Sequence, residues 1–401
     1  VGANDVAEGT ATDLAGATAV DDKTVEIAIN QPSAYFLSQL TFGSAKIVSK
    51  AAAEADPEGW EAAPLSSGAF QVSAWNHNQN LVLVLNEHYW QAPTAIAELT
   101  MPFIQDSETA FQLYRTGELD IMGSQQNGVP AAHIAEVELL PDFHQAASFA
   151  VRYVGFNNAI APFNDVNVRR AFALAIDKDT LANTVLNGTV AGTDRILPLG
   201  IPGSELAVNG LHFDPDAAKA ALEAAGLTPE SIGPVSLTYG VEGDNERIVT
   251  VLQAMWQQNL GVAVTLEPLE LSTFSARLNE TTENPEGGLQ MYYSIWGADY
   301  PDPQNFLSQQ LRTDVGNNNG HFSNAQFDAL VDQADVMTDN VTERLSLYNQ
   351  AEQIAIDEVG WLPLFNPRLN VLIKPYVTGI VFTGQGLTIP DYTALRGRTA
   401  Q

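Results

Sequence analysis

The chain has no cysteine among its 401 residues. Disulfides, thiolate catalysis, iron–sulfur clusters and cysteine-based zinc sites are therefore excluded for this stretch. Basic residues are scarce as well: 18 Lys and Arg stand against 48 Asp and Glu, a formal net charge of −30. Nucleic-acid binding needs clustered bases to neutralise phosphates, and adhesion to anionic lipid needs the same. Both are excluded. No long run of like charge occurs, so the acids are spread over solvated faces, either for solubility or as adaptation to salt or acid. No apolar run reaches the ~18 residues that a membrane helix requires. The six histidines are scattered without HxxxH or HExxH spacing, so no metal site and no cofactor is expected. A GxSxG elbow, a Walker A loop and a dinucleotide fingerprint are all missing. Internal repeats and low-complexity tracts are missing too.

What is present is a chain 45% apolar, long enough for two lobes. Residues 22–30 alternate as a strand, and Pro32 to Leu40 suits a short helix. Residues 66–75 and 80–90 read as a hairpin around a polar turn, and 97–104 as a strand. Asp106 is placed to cap a helix through Arg115. Residues 149–156 form a strand, and 214–226 a helix closed by glycine. A strand at 235–240, a helix at 244–260 and a strand at 262–270 make a unit that favours a parallel sheet. A strand at 289–296 and helices at 324–337 and 341–358 follow. Strands at 361–365 and 368–373 cross back.

The run from Phe156 to Lys178, FNNAIAPFNDVNVRRAFALAIDK, predicts a strand end, a turn at Ala161-Pro162 and two capped helices. Asp165 caps the first, with Val168, Phe172, Ala175 and Ile176 on its apolar face and Arg169 and Arg170 toward solvent or a lobe boundary. Asp177 caps the second, Lys178 to Leu186, which stops at Asn187-Gly188.

This wording resembles the signature of the extracellular solute-binding proteins of the peptide/nickel family (family 5), which serve ABC transporters. The matching residues are Phe156-Asn157, Pro162-Phe163, Asp165, Val168-Arg169 and Ala175-Ile176-Asp177-Lys178. Gly68-Ala69-Phe70, Trp75, Asn86, Tyr89-Trp90 and Lys374-Pro375-Tyr376-Val377 fall at further family landmarks in the family's order. The resemblance implies an α/β, two-lobed type II periplasmic-binding-protein-like fold of the large class. It implies residues 1–58 as the remainder of an extra subdomain of lobe I, 59–157 as lobe I, 158–370 as lobe II and 371–401 as a return to lobe I. The hinge is then expected near Asn157 and Asn370. Relatives carry considerably more chain before the point matching Val1, so the N-terminal part of the family fold is expected to be missing here, along with an export signal and a lipoprotein anchor.

The function implied is capture, not catalysis. A peptide would enter the cleft, hinge closure would bury it, and the closed form would dock on the transmembrane subunits of an ABC permease outside the cell or in the periplasm. A monomer is expected. A nickel chelate, an oligosaccharide or another small solute remains the alternative cargo, and an acid-pair hydrolase the remote one.

The strongest local constellation is Tyr292 to Pro303, where an aromatic strand runs into a loop stiffened by Pro301 and Pro303. In peptide-binding relatives the Asp of a Trp-x-x-Asp here takes the ligand's amino group. Asp299 matches it beside Trp296, unless Asp299 caps a turn and Trp296 is core. Asp302 reads as a cap. Arg277 is a candidate for a ligand carboxylate or for an ordinary ion pair. Tyr293 stands where some relatives have a second Arg. Ser67-Gly68 could pair with an extended ligand or be a plain turn. Asn157 could touch ligand or satisfy hinge backbone, the second being favoured.

Overall fold

The computed structural model describes residues 1–57, 59–60, 64–123 and 128–398. The expected boundary at residue 58 lies outside them. Two short strands, β1 (Ala17–Asp21) and β2 (Thr24–Ile27), form an isolated antiparallel pair. The helix expected at 32–40 shortens to Phe36–Gln39, without a side-chain cap. β3 (Phe70–Asn76), β4 (Asn80–Leu85) and β5 (Glu98–Pro102) form an antiparallel meander. Its first turn works because Asn78 tolerates φ of 62°. The helix Ser107–Thr116 starts where Asp106 accepts from the Thr109 N–H at 2.8 Å. It stops at Gly117, whose φ is 85°.

The larger sheet system contains β6 (Ile121–Met122), β7 (Phe143–Ala147), β8 (Ala150–Phe156), β9 (Val190–Gly192), β10 (Val235–Gly240), β11 (Val264–Leu269), β12 (Met291–Gly297) and β13 (Trp361–Ile373). A small hairpin of β14 (Val381–Thr383) and β15 (Gly386–Thr388) follows. The hydrogen-bonded path runs β11-β10-β12-β8-β13-β6, with β7 and β9 also on β13. β10 is parallel to both β11 and β12, joined to β11 through the helix Asn245–Leu260, as the strand–helix–strand pattern predicts.

β13 is a single strand where two were expected, and it serves two ladders. Trp361 to Pro367 pair with β8 and β9, whereas Arg368 to Ile373 pair with β7 and β6. The other crossing lies between β7 and β8, at Ser148-Phe149. The two crossings are tied together, Ser148 N–H donating to Pro367 O at 3.0 Å. The change of ladder on β13 falls between Pro367 and Arg368, and the other comes one strand before Asn157. Asn157 sits at the far end of β8, fully buried. Its amide donates to Pro285 O at 2.8 Å and its Oδ1 accepts from Ala159 N–H at 3.1 Å. These bonds tie it to the loops at Pro285 and Ala159.

One core lies around Phe156, Phe163, Phe172, Leu237 and Trp256; a second gathers Tyr153, Tyr292, Phe306, Phe327, Tyr348 and Trp361. A small third one packs Phe111, Tyr114 and Met122. Tyr292 lies across Gly155, and a Cβ there would come within 2.1 Å of the ring. The signature run is part of the first core. Asp165 caps its helix by accepting from Asn167 N–H at 2.7 Å, and Val168, Phe172, Ala175 and Ile176 are buried as expected. Arg169 departs from expectation, because it is buried rather than solvent-facing. It donates to Glu358 O at 3.0 and 2.8 Å and to Phe163 O at 2.7 Å. Burial lowers its pKa to about 10. The second helix is also shorter than expected: Lys178–Thr180 continues as a π turn, Leu181–Val185. Lys178 is drawn inward to Asp194 and Leu211 O.

Candidate functional site

β12 outruns its neighbour. It pairs with β8 along its whole length, from Met291 opposite Phe156 to Gly297 opposite Ala150. On the other side β10 accompanies it only as far as Tyr239 opposite Tyr293, and ends at Gly240. Among the described residues no strand lies beside the edge of Ile295 to Gly297 on that side. A cavity of about 300 Å³ opens there, beyond the carboxyl ends of the parallel strands β10 and β12. Open α/β sheets generally place ligands at such ends. The walls come from Arg152 of β8, Tyr293 and Trp296 of β12, Asn245, Phe274 and Gln310.

Trp296 is half-buried, packing against the second core while one side lines the cavity. Its indole N–H donates to Asn305 Oδ1 at 3.3 Å. The same oxygen accepts from Asp299 N–H at 3.0 Å, and Asn305 Nδ2 donates to the Asp299 carboxylate at 3.1 Å and to Gln309 Oε1 at 2.6 Å. Asn305 has no exposed surface. It is the hub that fixes the Trp296–Asp299 loop, and sequence reasoning missed it. The available signal was its position just after Pro301 and Pro303, where a buried amide can satisfy backbone that regular structure cannot. Asp299 remains part-exposed, and it is not one of the residues that line the cavity.

Asp302 does cap the short turn Pro303–Asn305, accepting from Gln304 N–H at 3.0 Å. It also takes a bidentate pair from Arg344, at 2.9 and 2.7 Å. The neighbouring Tyr300 stacks on Tyr35, ring centroids 5.6 Å apart, so the segment around residues 35–39 closes over the loop. Gln39 adds a hydrogen bond to the Tyr300 hydroxyl at 3.3 Å.

The other expected site residues are dispersed. Arg277 is exposed and pairs with Glu280 one helical turn on, at 2.7 Å; it does not line the cavity. Ser67 and Gly68 form an exposed turn braced by Asn86, whose amide donates to Ser66 O and Gly68 O at 2.9 and 2.8 Å. They belong to the loop before β3, outside the cavity. Tyr293 does line it. Its hydroxyl has no partner among the described residues, and burial pushes its pKa up to about 12, with the Arg152 guanidinium over its ring acting in the opposite sense.

Residues 2–318 match the profile of the bacterial extracellular solute-binding proteins, family 5 Middle. The chain belongs to that family. The periplasmic oligopeptide-binding protein of Salmonella typhimurium is 31% identical over 94% of this chain and 68% of its own length. A probable deoxycholate-binding periplasmic protein of Escherichia coli is 29% identical over 91% of this chain and 67% of its own. The chain therefore spans about two-thirds of these family 5 relatives. Among solved structures, the murein tripeptide-binding protein of Escherichia coli superposes with a TM-score of 0.78 at 26% identity, covering 98% of this chain and 76% of that one. The fold is the two-lobed, type II periplasmic-binding-protein-like fold of family 5. Among the described residues no helix is long and apolar enough to cross a membrane.

Proposed function

We propose that this chain captures peptides in the cleft beside β12 and hands them to an ABC permease on the outer side of the membrane. The unaccompanied edge of Ile295 to Gly297, opening on a cavity that Trp296 lines, carries this reading. An extended peptide can add to that edge as a strand, its main chain supplying affinity that does not depend on sequence. Asp299, two residues past the end of that edge, would take its amino terminus by a charge-assisted hydrogen bond. The names of relatives that bind oligopeptides and murein tripeptides agree with this. Closure around the ligand follows from differential affinity for the closed state.

The test is a thermal-shift screen of the chain with di- to hexapeptides, their N-acetylated forms, oligosaccharides, nickel chelates and deoxycholate. Ligand that binds only the folded state raises Tm. Free-amine peptides are expected to raise it, N-acetylated ones to fail, and Asp299→Asn to abolish the difference. Response to deoxycholate, chelate or sugar alone would keep the family and overturn the peptide cargo.

A further inference from the structure

Arg152 and Tyr293 face the same side of the sheet. β8 and β12 run antiparallel with Arg152 opposite Ile295 and Val154 opposite Tyr293, so these four side chains share one face. The Arg152 guanidinium carbon lies 5.5 Å from the Tyr293 ring centroid. Both side chains line the cavity, and Gln310 lines it as well.

These three groups have their polar atoms unspent. Tyr293 is 1% exposed and Gln310 2%, yet the Tyr293 hydroxyl and the Gln310 amide nitrogen have no hydrogen-bond partner among the described residues. A buried donor left unpaired costs free energy. Arg152 makes no ion pair or hydrogen bond through its side chain among the described residues, only the contact with the Tyr293 ring. The buried Arg169 and Arg344 and the part-buried Arg195 are by contrast engaged: Arg169 by carbonyls, Arg344 by Asp302 and Arg195 by Glu352. The residues that carry these unpaired donors thus line the same cavity, beside the open strand edge.

We infer that Arg152, Tyr293 and Gln310 form a subsite for a carboxylate of the bound ligand. The inference rests on reading this cavity as the ligand cleft. Guanidinium, amide and phenol offer N–H and O–H donors, and a carboxylate offers several lone pairs and the opposite charge. Glu242 lines the same cavity but is exposed, so its charge is solvated and leaves the buried donors to an incoming anion. The carboxylate can be a peptide's C-terminus or the side chain of Asp or Glu; the chemistry is common to both.

The experiment compares one peptide series by calorimetry on the full chain: free acid, C-terminal amide, and each with an internal Glu or Gln. The subsite predicts about tenfold or greater weakening when the responsible carboxylate is neutralised, as expected for a hydrogen bond to a charged group. Loss on amidation identifies the C-terminus, and loss on Glu-to-Gln identifies a side chain. Arg152→Gln should erase that preference. Tyr293→Phe, which removes only an unpaired hydroxyl, should reduce it while leaving Tm unchanged or higher. A parallel arm titrates N-acetylglycine and its amide, following the Arg152 side-chain N–H resonance. Peptide binding indifferent to every carboxylate change overturns the subsite and leaves peptide capture standing. Failure of all peptides with a response to N-acetylglycine but not its amide sinks peptide capture and supports the subsite. No response in either arm overturns both.

Discussion

Residues 17–102 and residues 150–373 are written in similar sequence, with alternating apolar strands and polar turns, but they fold into very different environments. Every residue of β1 and β2 is exposed, Val25 at 64% among them. In β8 all residues but Arg152 are buried, and in β10 all but Ser236. Tyr35 and Ala69 are the buried apolar residues among those described in the first span. The second span has a core against each face of its sheet, and so the same local pattern yields buried area there and almost none in the first. Strand formation is local, whereas stability comes from the layer laid against the strand. The contrast also separates recognition from binding. The signature at 156–178 is core and helix cap, and the cavity proposed as the cleft lies at the other end of β12.

The largest predicted effect tests this asymmetry on ion pairs. Glu352 is fully buried, paired with Arg195 at 2.5 Å and accepting from Ile196 and Leu197 N–H. Glu352→Ala strands a charge, and should cost about 3–5 kcal/mol in urea denaturation. The exposed pair Lys50–Glu54 is its counterpart. Lys50→Ala should cost less than about 1 kcal/mol. Equal losses would break the comparison.

A pH dependence should also belong to the second span. Asp335 accepts from Ser308 and Tyr348 at 2.7 and 2.5 Å, beside Arg344. Burial raises its pKa from 3.8 to about 6, against the opposing pull of those two hydrogen bonds and the Arg344 charge. The folded state thus holds a proton that the unfolded chain has released. Stability from this group is full below about pH 4 and is lost as pH rises through about 6. The change amounts to roughly 3 kcal/mol. Asp335→Asn should flatten that part of the stability–pH curve; an unchanged slope would remove Asp335 as its source.

Hydrogen exchange should show the difference residue by residue. Amides of β8, of β12 from Met291 to Tyr293 and of the first half of β13 should exchange only through global unfolding, and those of β1 and β2 orders of magnitude sooner. Uniform protection would contradict the burial contrast. Smallest of all, Val25→Thr should change stability by no more than about 0.5 kcal/mol, because little apolar surface is lost.

Local signals were readable in advance where the physics was local. Asp106, Asp165, Asp177 and Asp214 each cap the helix they announce, and Gly117 ends its helix. The Trp296–Asp299 loop was legible because prolines flank it. What failed was non-local. Arg169 looked solvent-facing because its acceptors, the carbonyls of Phe163 and Glu358, lie partly far along the chain. Asn305 as hub and Arg152 as cavity wall depend on which strand lies beside β12, and spacing within one segment does not contain that. Arg277 was read from the resemblance as a ligand contact or else an ion pair, and here it pairs with Glu280 on its own helix, a neighbour three residues on. The crossing assigned to Asn157 was misplaced for a related reason: β8 pairs throughout with β12, so the switch of ladders must precede it.

The pairing of Ser148 with Pro367 has a mechanical consequence. Two bodies joined by one flexible tether can tumble freely; joined by two adjacent spans, they share an axle drawn through both. Motion about that line costs only a little torsion in β13 and in the Ser148-Phe149 step, while sliding or twisting off the line would tear the ladders on either side. If the proposed closure runs about that line, the bodies would swing as a door does on two hinges and meet in the same frame each time.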